Sequence, residues 1–381
     1  MDFSWTPEQL ELRDAVTAFA KRDLGDDLIA RDRGSVFSRD LWKRCAEFGI
    51  QGLPFPAEFC GGGHDVLTTV LVLEALGYSC RDNGLIFGLN AQMWSVQMPL
   101  LLFGTPEQKR AYLAPLCSGD KIGAHGMSEP DSGSDAFSLR TIAERRGDRY
   151  ILNGSKTFVS EAPVADMFLV FATVAPSSGV LGITGFLIDR TAPGLRVGKP
   201  IEKMGLKTSP MSELVLDDCE VPLENRLGRE GRGAQIFNEA MEWERGFILA
   251  SCLGTMERQI QECSKHAKER HQFGKPLAAN QAVSNRLVQM RVRLDAARLL
   301  LHRAAWLKQH RRPAGAETAM AKLFVSESLV QNSLDAVQLF GGYGFTTEYQ
   351  LERDLRDAVG SRLYSGTSEI QHELIARAMG L

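Results

Sequence analysis

The sequence lacks long apolar runs, CxxC pairs, a GxGxxG signature and any excess of charge of one sign. Each absence removes a class of protein. The best apolar run, Val66-Leu67 followed by Val70-Leu71-Val72-Leu73, is interrupted by Thr68 and Thr69 and stops at Glu74. A membrane crossing takes about 20 apolar residues, so this run reads as a buried helix. Seven cysteines, Cys45, Cys60, Cys80, Cys117, Cys219, Cys252 and Cys263, are odd in number and scattered. They suggest neither a disulfide framework nor a metal site, and they fit a reducing cytoplasm. With 44 basic and 47 acidic residues the net charge is −3, which points to neither nucleic acid nor a charged tail. The start, Met1-Asp2-Phe3-Ser4-Trp5, is acidic and is not followed by a uniform apolar core, so it does not read as a signal peptide.

What is present is an order of elements: helices, strands, helices. The chain has 381 residues, enough for two or three domains. Residues 1–120 read as helical. Thr6-Pro7-Glu8-Gln9 is a capping box followed by an apolar stripe at Leu10, Val16, Phe19 and Ala20. The same four residues recur at Thr105-Pro106-Glu107-Gln108, and Ser38 can cap a helix through Leu41, Trp42 and Phe48. Residues 121–232 gather β-branched and aromatic runs at Tyr150–Leu152, Met167–Phe171, Gly182–Ile188 and Ser212–Leu216, divided by turn signals such as Asn153-Gly154 and Pro193-Gly194. A small β-sandwich or barrel is expected there. Residues 233–381 return to helical spacing over Glu239–His266, Gln281–His310 and Ala316–Leu339, with a fourth segment near Gly366 and breaks at Pro276 and Pro313, which suggests a four-helix bundle. The expected class is α+β. No βαβ alternation appears, so a Rossmann arrangement is not expected.

Four segments carry chemistry in their residue types. Met127-Ser128-Glu129-Pro130-Asp131-Ser132-Gly133-Ser134-Asp135 is a backbone-rich edge able to hydrogen-bond a planar heterocycle, although such clusters are usually plain loops. Arg270, in Arg270-His271-Gln272-Phe273-Gly274, offers a cationic fork suited to pyrophosphate, or else a solvated helix charge. Gly341-Gly342 closes the third helical segment with two glycines, which permit close approach to the backbone. The fourth is Arg362-Leu363-Tyr364-Ser365-Gly366-Thr367-Ser368-Glu369-Ile370-Gln371, near the C-terminus.

That last segment resembles the terminal signature of the acyl-CoA dehydrogenases, flavoenzymes that desaturate acyl thioesters. The resemblance extends along the whole chain. The 127–135 loop is similar to the family's TEPGAGSD loop; Lys156-Thr157-Phe158-Val159-Ser160 is similar to KxWIT; Lys203–Pro210 with Leu214-Val215-Leu216-Asp217-Asp218 and Val221-Pro222 is similar to KMGxRxSP…LxFDDxxVP; Arg270–Gly274 with Gln281 is similar to RxxFG…Q. The resemblance implies FAD as cofactor. Met127, Ser128, Gly133 and Ser134 would lie at the ring, Phe158 would supply its apolar wall and Ser160 a hydroxyl at its edge. Arg270, Phe273, Gln281, Gln338, Gly341 and Gly342 would reach the flavin of a neighbouring subunit, and Thr367 and Glu369 would lie near its ribityl and adenine parts. Substrate would meet Ser134, Arg245, Ser365 and Gly366. The implied assembly is a homotetramer, at least a dimer.

The same resemblance exposes a departure. Many family members carry at the position of Ser365 the glutamate that removes the substrate's α-proton, and a serine is no base at neutral pH. A minority supply the carboxylate from the first helix of the C-terminal bundle, where this chain has Glu244 in Met241-Glu242-Trp243-Glu244-Arg245-Gly246. Glu244 is therefore the expected base. Without the resemblance it would read as one exposed charge among Glu239, Glu242 and Glu244. The implied reaction is FAD-dependent α,β-dehydrogenation, with the thioester oxygen held by the Ser365 N–H.

Trp243-Glu244-Arg245, Met256–Gln259, Phe273–Pro276 with Asn280–Ser284, and Ser365–Thr367 with Gln371–Glu373 look like the branch acting on groups tethered to carrier proteins in natural-product pathways, such as prolyl-carrier-protein dehydrogenases. The expected partners are an acyl or peptidyl carrier protein and an electron acceptor for reduced flavin. Free acyl-CoA is the alternative donor. A flavin monooxygenase on this scaffold and a silent acyl-binding subunit are the other readings, against which Glu244 and the flavin motifs respectively argue.

Overall fold

The computed structural model describes residues 4–25 and 27–381; Met1, Asp2 and Phe3, on which the reading of the N-terminus as no signal peptide partly rests, lie outside them. The N-terminal part is helical: α1 Pro7–Asp23, α2 Leu28–Gly34, α3 Arg39–Phe48, α4 Val66–Ser79, α5 Asn83–Gln92, α6 Met98–Phe103, α7 Pro106–Gln108 and α8 Ala114–Cys117. Both capping boxes form. Thr6 and Gln9 exchange bonds of 3.0 and 3.3 Å, and Thr105 and Gln108 bonds of 3.0 and 3.2 Å, so each helix start satisfies orphan backbone donors. The interrupted apolar run becomes α4, buried along most of its length. The run Asn83–Phe103, continuous through a π-turn at Met93–Gln97, is longer and also apolar, and it too is mostly buried in the fold.

The central part is β1 Gly123–Gly126, β2 Ile142–Arg146, β3 Arg149–Ser160, β4 Met167–Thr173, β5 Ile183–Asp189, β6 Leu195–Val197, β7 Met211–Pro222 and β8 Arg226–Leu227. They form one sheet in the order β6-β7-β3-β2-β4-β5-β8, with β1 beside β4. β4 is buried at every residue, as expected of a strand covered on both faces. One expectation fails: Asn153-Gly154 is not a turn. It lies inside β3, where the register against β7 slips between Leu152 and Gly154. Gly154 has φ +149, and a Cβ there would sit 2.5 Å from the Thr141 hydroxyl. The glycine serves a bulge, and Asn153 bonds across to Asp218 at 3.0 and 2.8 Å.

The C-terminal part holds α9 Gly233–Phe247, α10 Ala250–Glu269, α11 Gln281–Gln309, α12 Gly315–Phe340, α13 Leu351–Gly360 and α14 Ser368–Ala378, with a hairpin of β9 His271–Gln272 and β10 Lys275–Pro276 before α11. The expected single helix over 239–266 is interrupted at Ile248–Leu249, whose side chains are both buried. α13 was not anticipated. Its sequence, Leu351-Glu352-Arg353-Asp354-Leu355-Arg356-Asp357, looks solvated, yet Arg353, Asp354 and Asp357 are buried. They pair with one another and with Arg258 of α10, which makes an inward face of charges tolerable. The N-terminal helices are tied to the bundle where α4 crosses α10. A Cβ on Gly77 would lie 1.9 Å from the Ser251 carbonyl, and one on Gly254 would lie 1.9 Å from the Glu74 carbonyl. The crossing requires both glycines.

Candidate active site

α9 turns Glu244 inward to 8% exposure, among Ile236, Ala240, Met241 and Phe247 on the same buried face. Its Oε1 accepts a 2.6 Å hydrogen bond from the Ser365 hydroxyl. Ser365 and the expected base therefore touch. Ser365 (φ +57) and Gly366 (φ +87) both occupy the left-handed region just before α14. Such a conformation on a non-glycine residue costs about 1–3 kcal/mol and persists where surrounding bonds impose it. Those bonds are visible: Lys322 Nζ donates to the Gly366 carbonyl at 2.6 Å and Gln371 Nε2 to the same oxygen at 2.8 Å.

Burial drives the Glu244 carboxyl up to about 7, against the opposing pull of the Ser365 hydroxyl, Arg245 and Lys322. A carboxylate near neutrality is suited to abstracting a carbon-bound proton. Lys322 is brought down to about 8 by burial and by the neighbouring Arg245. Arg245 is half-buried, and its Nε has no hydrogen-bond partner among the described residues.

A second cluster fixes the 127–135 loop against the sheet. Lys156 and Glu129 form an ion pair of 2.6 Å with side chains 0% and 5% exposed. Lys156 also donates to the Met127 carbonyl at 3.2 Å, and the Thr157 N–H donates to the Ser128 carbonyl at 2.9 Å. Glu129 accepts further from the N–H groups of Arg140 and Thr141 and from the Thr141 hydroxyl. Burial alone would raise this carboxyl, but Lys156 and Thr141 outweigh it and hold it low. These bonds hold Met127 and Ser128 beside the part of β3 that carries Phe158. Phe158 has φ +54 at a second register slip of β3, and the residue is 64% exposed. Gly133 and Ser134 are exposed, and Ser160 is half-buried.

A third group lies at the end of α12. Phe273, at the hairpin tip with φ +51, is 96% exposed. The Arg270 guanidinium sits 5.9 Å from the Tyr343 ring centre, and Gly341 has φ +59. Gln281 and Gln338 are exposed. Among the described residues no hydrogen bond, ion pair or ring contact links this group to Glu244. Thr367 caps α14 through Ile370 N–H at 3.4 Å, and Glu369 is exposed in that helix's first turn.

The residues suit a flavin. An exposed aromatic ring held in a strained backbone beside an anchored loop, a left-handed Ser-Gly corner beside a buried carboxylate, and an exposed Arg–Phe tip are costly features that a bound heterocycle with a pyrophosphate would repay. Lys322 is absent from the sequence expectations, and Gln371 enters them only as part of a motif. The lone cation in Ala319-Met320-Ala321-Lys322-Leu323-Phe324-Val325 was a signal for the first.

The chain is similar to known proteins along its whole length. Three family models match in succession: acyl-CoA dehydrogenase N-terminal domain over residues 6–120, middle domain over 124–219 and C-terminal domain over 231–380. An L-prolyl-[peptidyl-carrier protein] dehydrogenase of Pseudomonas fluorescens is 41% identical over 100% of both chains. Among solved structures, the prolyl acyl carrier protein oxidase AnaB superposes with TM-score 0.98 at 48% identity, covering 99% of this chain and 100% of that one. PigA with FAD and proline superposes with TM-score 0.98 at 40% identity over 100% of both. The chain belongs to the acyl-CoA dehydrogenase family.

Proposed function

We propose that this protein is an FAD-dependent oxidoreductase that dehydrogenates an aminoacyl thioester, L-prolyl by preference, carried on a peptidyl carrier protein, with Glu244 as the α-proton base. The observation that carries the reading is the buried Glu244 carboxylate, 2.6 Å from the hydroxyl of Ser365. The prolyl carrier-protein substrates of the relatives at 41% and 48% identity support the prolyl group and the carrier.

Met127, Ser128, Gly133, Ser134, Phe158 and Ser160 would hold the flavin ring, with Thr367 and Glu369 toward the rest of the cofactor. Arg270, Phe273, Gln281, Gln338, Gly341 and Gly342 would hold the flavin of a second subunit. When bound, FAD would supply the acceptor for the hydride leaving the β-carbon. Glu244 takes the α-proton, so that one C–H bond breaks at each carbon and a C=C bond forms between them. The Ser365 N–H, which has no acceptor among the described residues, is available to the thioester oxygen as negative charge develops there. Arg245 and Ser134 position the substrate. The left-handed corner and the apolar walls keep water from the carboxylate, which keeps it basic.

An assembly of at least two subunits, and a homotetramer by likeness, is part of this reading. Phe273 is 96% exposed, and Val288, Val292 and Leu299 expose one face of α11; a partner subunit would cover such a surface. An electron acceptor would be needed as a further partner, in the cytoplasm, to reoxidise the cofactor.

The test compares single-turnover reduction of bound FAD by L-prolyl carrier protein, L-prolyl-CoA and butyryl-CoA. Fast reduction by the carrier thioester alone is expected. Equal rates with the two CoA thioesters would instead make free acyl-CoA the donor.

A further inference from the structure

Lys322 has no part in the reading above, yet it is a buried cation at the centre of the site. It projects from α12 at 1% exposure. Its Nζ reaches the Gly366 carbonyl at 2.6 Å, and that carbonyl belongs to the residue following the one that bonds Glu244. Burying an ammonium costs several kcal/mol. A neutral donor already serves the same carbonyl, because Gln371, 0% exposed, bonds it at 2.8 Å. A charge is therefore not needed to satisfy that oxygen, and its retention calls for another role.

We infer that Lys322 is the positioning residue of the base: it clamps the Ser365-Gly366 corner so that the serine hydroxyl meets Glu244, and its charge faces the carboxylate that must form there. This rests on Glu244 being the base. Of the charged groups around Lys322, Arg245 opposes its charge, while Glu327, Glu244 and Glu369 support it. Glu244 is faced by Arg245 from its own helix, by Lys322 from α12 and by Tyr364 and Ser365 from the corner. Lys322 is faced by Arg245 from α9, by Glu327 from α12, by Glu244 and by Glu369 from α14. The ammonium favours the ionised carboxylate against burial, while the left-handed corner keeps the hydroxyl aimed at its Oε1.

The experiment is the pH profile of anaerobic FAD reduction by L-prolyl carrier protein in the holoenzymes of wild type, Lys322→Met, Lys322→Arg, Gln371→Leu and Glu244→Gln. FAD content and thermal melting verify folding, and Lys322→Gln replaces Lys322→Met where the latter yields no folded holoenzyme. Lys322→Met (or Lys322→Gln) should move the midpoint upward by about one pH unit, the scale on which a neighbouring charge acts. Lys322→Arg should keep the midpoint and lower the plateau, since a planar fork cannot reproduce the single-point clamp. Gln371→Leu should lower the plateau without moving the midpoint. An unmoved midpoint in the neutral variants, or the same movement in Lys322→Arg, overturns the inference. Full activity in Glu244→Gln would overturn the reading of Glu244 itself, and so separates the two failures.

Discussion

The Ser365 hydroxyl and the Glu244 carboxylate lie 2.6 Å apart, although 121 positions separate them in the chain. A hydrogen bond to the charged form of an acid lowers its pKa, so the serine restrains a carboxyl that burial pushes to about 7. Ser365→Ala removes that restraint. The midpoint of FAD reduction should rise by about one unit, and the rate at pH 7 should fall roughly fivefold, recovering at higher pH. A pH profile with an unchanged midpoint contradicts the coupling.

Glu244 also makes stability depend on pH. Its carboxyl titrates near 7 when folded and near 4.5 when free. Between those values the native state binds more protons than the unfolded state, so stability declines as pH rises through the window. Glu244→Gln carries no such penalty. Relative to wild type it should gain up to about 3 kcal/mol between pH 4.5 and 7.5, and denaturant unfolding of the apoprotein at several pH values measures this. A constant difference across the window contradicts the assignment of a buried, titrating carboxyl.

The Lys156–Glu129 pair ties the 127–135 loop to β3. Lys156→Met leaves a buried carboxylate without its cation and should cost about 3–5 kcal/mol, together with weaker FAD retention. The double change Lys156→Met with Glu129→Gln should cost less than Lys156→Met alone, because no bare charge remains. Calorimetry of the three proteins decides it.

Much of this arrangement was legible in the sequence, for identifiable reasons. The two capping boxes are local, needing only four residues each, and both form. The β runs announce themselves through branched and aromatic side chains. Asn153-Gly154 misled because the same dipeptide that makes a tight turn can also absorb a bulge, and only the closeness of Thr141 distinguishes the two. α13 was hidden because a face of Arg353, Asp354 and Asp357 is polar in sequence and becomes an inward face only through partners on other elements. At the site, Glu244 was found through likeness and not through periodicity, which favoured a solvated charge. Its bond to Ser365 and the clamp from Lys322 join residues far apart in the chain, and no spacing rule reports such contacts.

Phe158 holds a strained left-handed backbone while exposing its ring. Phe158→Gly should relieve about 1 kcal/mol of strain in the apoprotein while weakening FAD binding through loss of the apolar wall. Opposite signs for apoprotein stability and FAD affinity are the expected signature. A parallel loss of both contradicts a role at the cofactor.

Where α4 crosses α10, Gly254→Ala would drive a Cβ to 1.9 Å from the Glu74 carbonyl. The backbones must separate, at about 3 kcal/mol. Thermal melting should show the loss, whereas Gly133→Ala, where a Cβ meets nothing within 4 Å, should melt like wild type. Equal melting temperatures for Gly254→Ala and Gly133→Ala contradict the close crossing.

The most direct measurement is anaerobic mixing of the FAD-loaded protein with L-prolyl carrier protein while following the flavin absorbance, for wild type and Glu244→Gln side by side. The account predicts rapid bleaching in wild type and almost none in the variant, with equal FAD content in both. Bleaching at comparable rates in the two proteins would contradict it.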